Sequence, residues 1–323
     1  MSKKRTLFFT VALLLLMAIF VVGLVQAATG PEPSNPGGAD SAIPWWGWPL
    51  ILLIVTFFMG ILAVLGGVGG AVLYTPIIGG FFPFGMDFVR GAGLLVALAG
   101  SLAAGPGLLK KGLADLRLAI PVALIASTTA VMGAMVGLAL SDAVIQTAMG
   151  LAILAIVVIM FLAKKSEYPD VQQADKLSSI LRISGVYHEP SSDKDINWKI
   201  HRTIPGLILF IGIGFMAGMF GLGAGCANVP VLNLVMGAPL KVSVATSKFL
   251  LATTDTSAAW MYLNAGAVIP MIVVPSIIGI MLGSLVGVKI LAKTKPSAVR
   301  VIVLVMLVFA GLRALLKGTG IWK

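Results

Sequence analysis

The chain has 323 residues, of which 59% are apolar and only 11% charged. A soluble domain carries about 25% charged residues, so this chain cannot cover its own surface with polar groups and takes lipid as solvent, with room for on the order of ten spans of about 20 residues. The net charge of +11 does not call for nucleic acid, because Lys and Arg collect at cytoplasmic helix ends and no nucleic-acid motif accompanies them. The single Cys226 excludes an internal disulfide and a Cys-pair metal site. His188 and His201 both lie in one polar stretch. No metal, no cofactor and no His-based catalytic pair is therefore expected inside the membrane.

In chain order, Lys3, Lys4 and Arg5 precede an apolar run from Leu7 to Val25, followed by Gln26-Ala27-Ala28. This reads as a signal peptide or an uncleaved signal-anchor helix over residues 1–27. An extracytoplasmic linker over 28–47 follows, with Trp45, Trp46 and Trp48 as an interfacial aromatic belt. Apolar runs then come at 48–66, 88–108, 118–140 and 143–163, forming a first transmembrane repeat over 48–163. After a polar stretch they resume at 203–221, 242–262, 267–290 and 297–316, forming a second repeat over 203–323. Each half also holds a shorter apolar piece, near 70–84 and 224–237. The stretch 164–202, with seven basic and six acidic residues, reads as a cytoplasmic linker with a short amphipathic segment at 177–183.

The two halves repeat one another. Gly67-x-Gly69 with Pro76 matches Gly221-x-Gly223 with Pro230 at an offset of 154 residues, and Gly112 and Pro121 match Gly266 and Pro275 at the same offset. Lys110, Lys111 and Arg117, the 164–202 stretch, and Lys289 to Arg300 belong in the cytoplasm by positive-inside counting, while the 141–142 and 264–268 turns lack Lys and Arg and belong outside. These assignments hold together only if the short pieces cross the membrane, singly or by meeting another element midway. The fold expected is an all-α polytopic membrane protein of two inverted-topology repeats with broken helices at the centre, in the inner (plasma) membrane. Lys317 and Lys323 conflict with this, since they fall outside.

The strongest local feature is Gly66-Gly67-Val68-Gly69-Gly70 leading into Tyr74-Thr75-Pro76, echoed by Gly221-Leu222-Gly223-Ala224-Gly225 leading into Asn228-Val229-Pro230. Glycine weakens a helix by roughly 1 kcal/mol relative to Ala, and irregular backbone in a bilayer survives only where protein or a water-filled cavity satisfies it. A break followed by a new helix presents free N–H groups and a positive dipole end suited to an anion. Matched interrupted segments in two halves point to a transporter site. The GxxxG pairs at 133–137 and 283–287 read instead as close helix packing.

Within 242–262, Ser243, Ser247, Thr254 and Ser257 fall on one helical face, and Lys248 and Asp255 are the ionisable residues of the span. Charges at this depth are costly; they line a cavity or pair with each other. Lys248 suits an anion, and Asp255 suits either offsetting that charge or carrying a coupling proton or cation. Asp87 and Arg90, at a helix start, read as interfacial. An intramembrane hydrolase would need a nucleophile with a base, or two aspartates, within the bilayer, and Asp255 has no acidic partner in its half. No catalytic residues are assigned.

The glycine-rich break followed by proline, its recurrence in both halves, and Ala245-Thr246-Ser247 resemble the TauE/SafE sulfite exporter family over about 48–163 and 203–316. The resemblance implies an all-helical transporter of small sulfur-containing anions such as sulfite, sulfonates or related organosulfur acids. The chain departs from that pattern in having Lys248 after Thr-Ser, and Gly91-Ala92-Gly93-Leu94 where the first half would carry a Thr-Ser pair. The expected substrate-binding set is Gly67, Gly69, Tyr74, Gly221, Gly223, Asn228, Thr246, Ser247 and Lys248, with Asp255 for ion coupling. A different small anion such as a carboxylate, and a passive anion channel, are the alternatives.

Overall fold

Each of the eight long apolar runs is a helix in the computed structural model, which describes residues 46–65, 69–82, 84–110, 114–162, 169, 171, 173–189, 194–223, 225–291 and 296–321. The first half holds α1 (Gly47–Leu65), α2 (Gly70–Phe81), α3 (Met86–Lys110), α4 (Leu116–Ala139) and α5 (Asp142–Leu162). A short helix α6 (Lys176–Ile180) and strands β1 (Ser184–Glu189) and β2 (Lys194–Lys199) follow. The second half holds α7 (Thr203–Phe220), α8 (Gly225–Pro230) running into a π-helical turn (Val231–Val235), α9 (Leu240–Asn264), α10 (Pro270–Leu291) and α11 (Pro296–Gly318). The expected N-terminal segment and linker up to Trp45, and Gly67, lie outside the described residues.

Among the described residues six helices are long and apolar enough to cross a membrane: α1, α3, α4, α5, α7 and α10. Their outer faces carry exposed large apolar side chains, among them Leu124, Phe161, Ile208 and Val274. Water would not tolerate so broad an apolar surface; lipid does. Trp48 stacks edge-on against Phe82 and Phe84, with ring centroids 5.9 and 5.7 Å away, an aromatic group at one end of the bundle.

The helices pair across the halves. α1 packs along α10, and α7, which stands 156 positions after α1 in the chain, packs along α4. α3 meets α9, and α5 meets α11; α3 also packs on α10 as α9 packs on α4. Exchanging the two halves maps this set of pairings onto itself. Small residues permit the closest crossings: a Cβ on Gly60 would lie 2.6 Å from the Ile280 carbonyl oxygen, and one on Gly137 would lie 2.6 Å from that of Met219. Gly133, Gly283 and Gly287 likewise face backbone of the opposing helix, so both GxxxG pairs serve helix packing.

The polar stretch between the halves is folded where it is described. Ile183 precedes β1 and Val186 lies within it, Ile196, Trp198 and Ile200 alternate with period two along and beyond β2, and the strands pair antiparallel with Ser184 opposite Lys199. Ile183, Trp198 and Ile200 join one core with Leu118 and Val122 of α4, Phe210 of α7, Met236 and Val242. Read by composition as a linker, the segment is a small cap seated on the ends of α4, α7 and α9. The period-two alternation was the signal that composition obscured.

Asp175 fastens this cap. Its carboxylate accepts from Ser178 N at the start of α6 (3.1 Å) and from Thr203 N and Oγ1 at the start of α7 (both 2.9 Å). Burial alone would raise its pKa, but the hydrogen bonds from Ser178 and Thr203 outweigh it and hold the group below its ordinary value of 3.8. A depressed folded-state pKa means stability that is fully present above the unfolded value and lost as pH falls through the folded one. Protection from hydrogen exchange over 176–189 and 194–199, taken relative to the intrinsic rate at each pH, should therefore be high at neutral pH and give way to fast relative exchange as pH falls below about 4. Asp175→Asn should show the fast exchange already at pH 7.

Candidate functional site

α7 stops at Gly221, which takes a left-handed conformation (φ +62°) and is followed by Gly223 in the same region (φ +65°). Glycine adopts this geometry without the penalty a Cβ brings. Thr75 of α2 donates its hydroxyl to the Gly221 carbonyl at 2.7 Å, tying the two halves together at the break. On the other side α2 begins after Gly69, whose backbone is extended (φ −64°, ψ 146°).

The two breaks meet. A Cβ on Gly225 would lie 2.5 Å from Gly69 N. α2 has 12 residues, about 18 Å of helix, and α8 has 6, so neither crosses a hydrocarbon layer of about 30 Å alone. Their N-terminal ends converge inside the bundle.

α9 crosses this junction. Leu251 sits over it, its methyls 3.3 and 3.4 Å from a Cβ built on Gly69 and 3.3 Å from one on Gly223. One turn below Leu251 lie Ser247 and Lys248, and one turn above lie Thr254 and Asp255, all on the same stripe of the helix. Ser247, Thr254 and Asp255 are fully buried and Lys248 is 4% exposed. The Asp255 carboxylate reaches the second break: its Oδ2 is 3.0 Å from the Cβ position of Gly223. Lys248 and Asp255 stand seven residues apart, about 10 Å along the axis, and their charges act on one another.

Burying a polar atom without a hydrogen bond costs about 1–3 kcal/mol. Among the described residues, the buried side-chain atoms without such a bond are Ser101 Oγ, His201 Nδ1, both amide atoms of Asn228, Ser247 Oγ, Thr254 Oγ1 and both carboxylate oxygens of Asp255. All but His201 belong to α3, α8 and α9, the elements that carry or touch the junction. Other helical hydroxyls bond the carbonyl one turn back, as Thr56, Thr256 and Ser276 do. Those near the junction do not.

Several expected residues are placed elsewhere. Tyr74 is buried but pairs its hydroxyl with Ser276 Oγ of α10 at 3.2 Å. Thr246 accepts from Asp115 N at the start of α4 (3.3 Å). Gly221 caps α7 and lies against the Arg90 backbone, 2.6 Å from its Cα if given a Cβ. These three build the junction's walls. Gly69, Gly223, Asn228, Ser247, Lys248 and Asp255 are the ones gathered on the polar elements.

Arg90 corrects an expectation. It occupies the first turn of α3 but is fully buried, donating to the carbonyls of Gly137 and Met219 at 3.0 Å each and pairing with Asp87. Tyr262 lies beneath its guanidinium, 5.6 Å from ring centroid to Cζ, and donates to Gly218 O at 3.0 Å. Together they satisfy the last carbonyls of α7, which end at the break. Lys317 does the same for α2, donating to Gly79 O at 2.9 Å, beside Arg313 on Gly80 O. That accounts for a basic residue on the side where positive-inside counting wants none. Ser101 escaped the sequence reading altogether; the signal that could have found it is the repeat offset, by which Ser101 corresponds to Asp255.

A family model described as "Sulfite exporter TauE/SafE" matches residues 52–314. A probable membrane transporter protein of Methanocaldococcus jannaschii, MJ0441, is 26% identical over 281 residues, 82% of this chain and 95% of the relative. A probable membrane transporter protein of Bacillus subtilis, YunE, is 26% identical over 113 residues, 35% of this chain and 41% of that relative's length. No solved structure matches. With the family model covering the helices that form the broken-helix junction, this chain is a multi-pass membrane protein that belongs to the TauE/SafE family of membrane transporters.

Proposed function

We propose that the protein is an ion-coupled secondary transporter of small sulfur-containing anions: sulfite, a sulfonate or a related organosulfur acid. The observation that carries this reading is the buried stripe Ser247–Lys248–Thr254–Asp255 lying across the meeting point of two helix breaks. Lys248 supplies the positive charge that draws the anion out of water. Asn228, Ser247 and Thr254 supply hydrogen bonds, and the backbone at Gly69 and Gly223 supplies further donors. Asp255 offsets the Lys248 charge or carries the coupling proton. A fully buried stripe fits an occluded state, from which the site opens to one side at a time.

The inverted relation of the halves belongs to the same reading, and with it an inner-membrane protein whose 164–202 segment faces the cytoplasm. The exchange of packing partners between halves supports it. It is tested by cysteine labelling in a Cys226→Ala background. Asn264→Cys should react with an impermeant thiol reagent added to intact cells, and Ser184→Cys, exposed on the cap, should not. The reverse labelling would overturn the inverted assignment.

Substrate and coupling are tested together in proteoliposomes. Sulfite, thiosulfate and sulfoacetate should accumulate against their gradients when an ion gradient is imposed, and an acetate control should not. Uptake of acetate in preference to the sulfur anions refutes the substrate class. Anion flux at a rate indifferent to every imposed ion gradient would favour the passive channel instead.

A further inference from the structure

Resting on the reading of this junction as an anion site, we infer that Ser101 is a substrate-binding residue contributed by the first repeat, at the position on α3 that corresponds by the repeat offset to Asp255 on α9. The repeat offset of 154 places Gly93, Ala97 and Ser101 of α3 in correspondence with Ser247, Leu251 and Asp255 of α9. Members of both triplets lie against the second break, where Leu251 and Asp255 of α9 stand 3.3 and 3.0 Å from the Cβ position of Gly223. A Cβ on Gly93 would lie 2.7 Å from the Gly221 carbonyl, and the Ala97 Cβ is 3.4 Å from the Cβ position of Gly223. These residues are spaced by four, so they form one face of α3 running along the second break. Ser101 is the next position on that face.

Three observations single it out. Ser101 is 3% exposed. Its hydroxyl makes no hydrogen bond with protein, not even to the carbonyl one turn back, although α3 offers one. Its symmetry mate Asp255 is buried with both oxygens in the same condition. The same register explains the missing Thr-Ser pair of the first half: at Gly93, the counterpart of Ser247, Thr75 Oγ1 and the Gly221 carbonyl already occupy the space a side chain would need. The first repeat therefore contributes its hydroxyl two turns further along, at 101.

The pairing is chemically unequal. Asp255 is an acceptor when ionised, whereas Ser101 both donates and accepts. An oxyanion at the junction is held by the serine hydroxyl and repelled by an ionised Asp255, so Ser101 provides a contact that remains attractive in either protonation state of Asp255. That makes Ser101 a binding determinant and Asp255 a coupling one.

The test compares wild type, Ser101→Ala and Ser101→Thr in proteoliposomes with sulfite, sulfoacetate and acetate. Loss of a hydrogen bond to a charged group predicts a rise in KM of about tenfold or more for whichever anion the wild type carries, with Ser101→Thr recovering most of it. A KM for Ser101→Ala within twofold of wild type overturns the assignment. If the wild type carries acetate but not the sulfur anions, the proposed substrate class fails while the same KM ratio still decides Ser101. A second variant covers a silent or unfolded Ser101→Ala. Ser101→Cys in the Cys226→Ala background should be modified by a small methanethiosulfonate reagent in reconstituted protein and protected by sulfoacetate or acetate, neither of which reacts with the reagent. Absence of modification, or modification no anion slows, overturns the proposal.

Discussion

Asp255→Asn is expected to abolish ion-driven accumulation and to destabilise the protein by about 2 kcal/mol, the attraction of two unit charges about 10 Å apart at an effective dielectric constant of about 20. The cost comes from Lys248, 4% exposed, which loses the attraction of that carboxylate. Adding Lys248→Met should restore thermal stability, since a neutral pair asks for no compensation, but should not restore transport. If Asp255 carries the coupling proton, the single variant still binds substrate while its flux no longer responds to a pH gradient. Near-normal, gradient-driven flux through Asp255→Asn would show that the carboxylate has no part in coupling.

The two glycine breaks should respond differently to the same small change. Gly223 holds φ at +65°, where an L-residue with a Cβ pays roughly 1–2 kcal/mol. Its Cβ would also press on the Asp255 carboxylate at 3.0 Å. Gly223→Ala should therefore lose most transport and a measurable part of its thermal stability. Gly69 has φ −64°, open to any residue, and its Cβ would meet the Leu251 methyls at 3.3 and 3.4 Å and the Gly225 Cα at an ordinary 3.8 Å. Gly69→Ala should stay within about 1 kcal/mol of wild type and keep transporting. Val at either position, too large for the junction, should stop transport. A monodisperse, fully active Gly223→Val protein would refute the role given to the break.

Helix positions were legible because lipid imposes length and apolarity on any span, and the repeat was legible because glycine and proline keep their places where backbone geometry demands them. The stripe on α9 was legible too, as polar residues in a bilayer are rare enough to stand out. Tyr74 and Thr246 were misplaced for a different reason. A polar side chain inside a helix bundle announces only that it needs a partner, and the partners, Ser276 and the Asp115 amide, lie 202 and 131 residues away in the chain. Arg90 shows the same limit: a charge at a helix start looks interfacial until its acceptors, the terminal carbonyls of α4 and α7, are known. The cap went unread because six-residue strands in a charged segment produce a weak alternation beside the signal of the membrane spans.

The cross-half pairing of helices also dictates the order in which the bundle can be assembled during synthesis. α1 leaves the ribosome long before α10, against which it finally packs, and must wait in lipid without that partner. It is the most apolar of the six spanning helices among the described residues, as suits a helix whose main partner comes late. α9 is at the other extreme: it carries Lys248 and Asp255, and its partners α3 and α4 precede it in the chain. It is received into a bundle already waiting for it, so the helix least able to survive alone in the bilayer is never asked to.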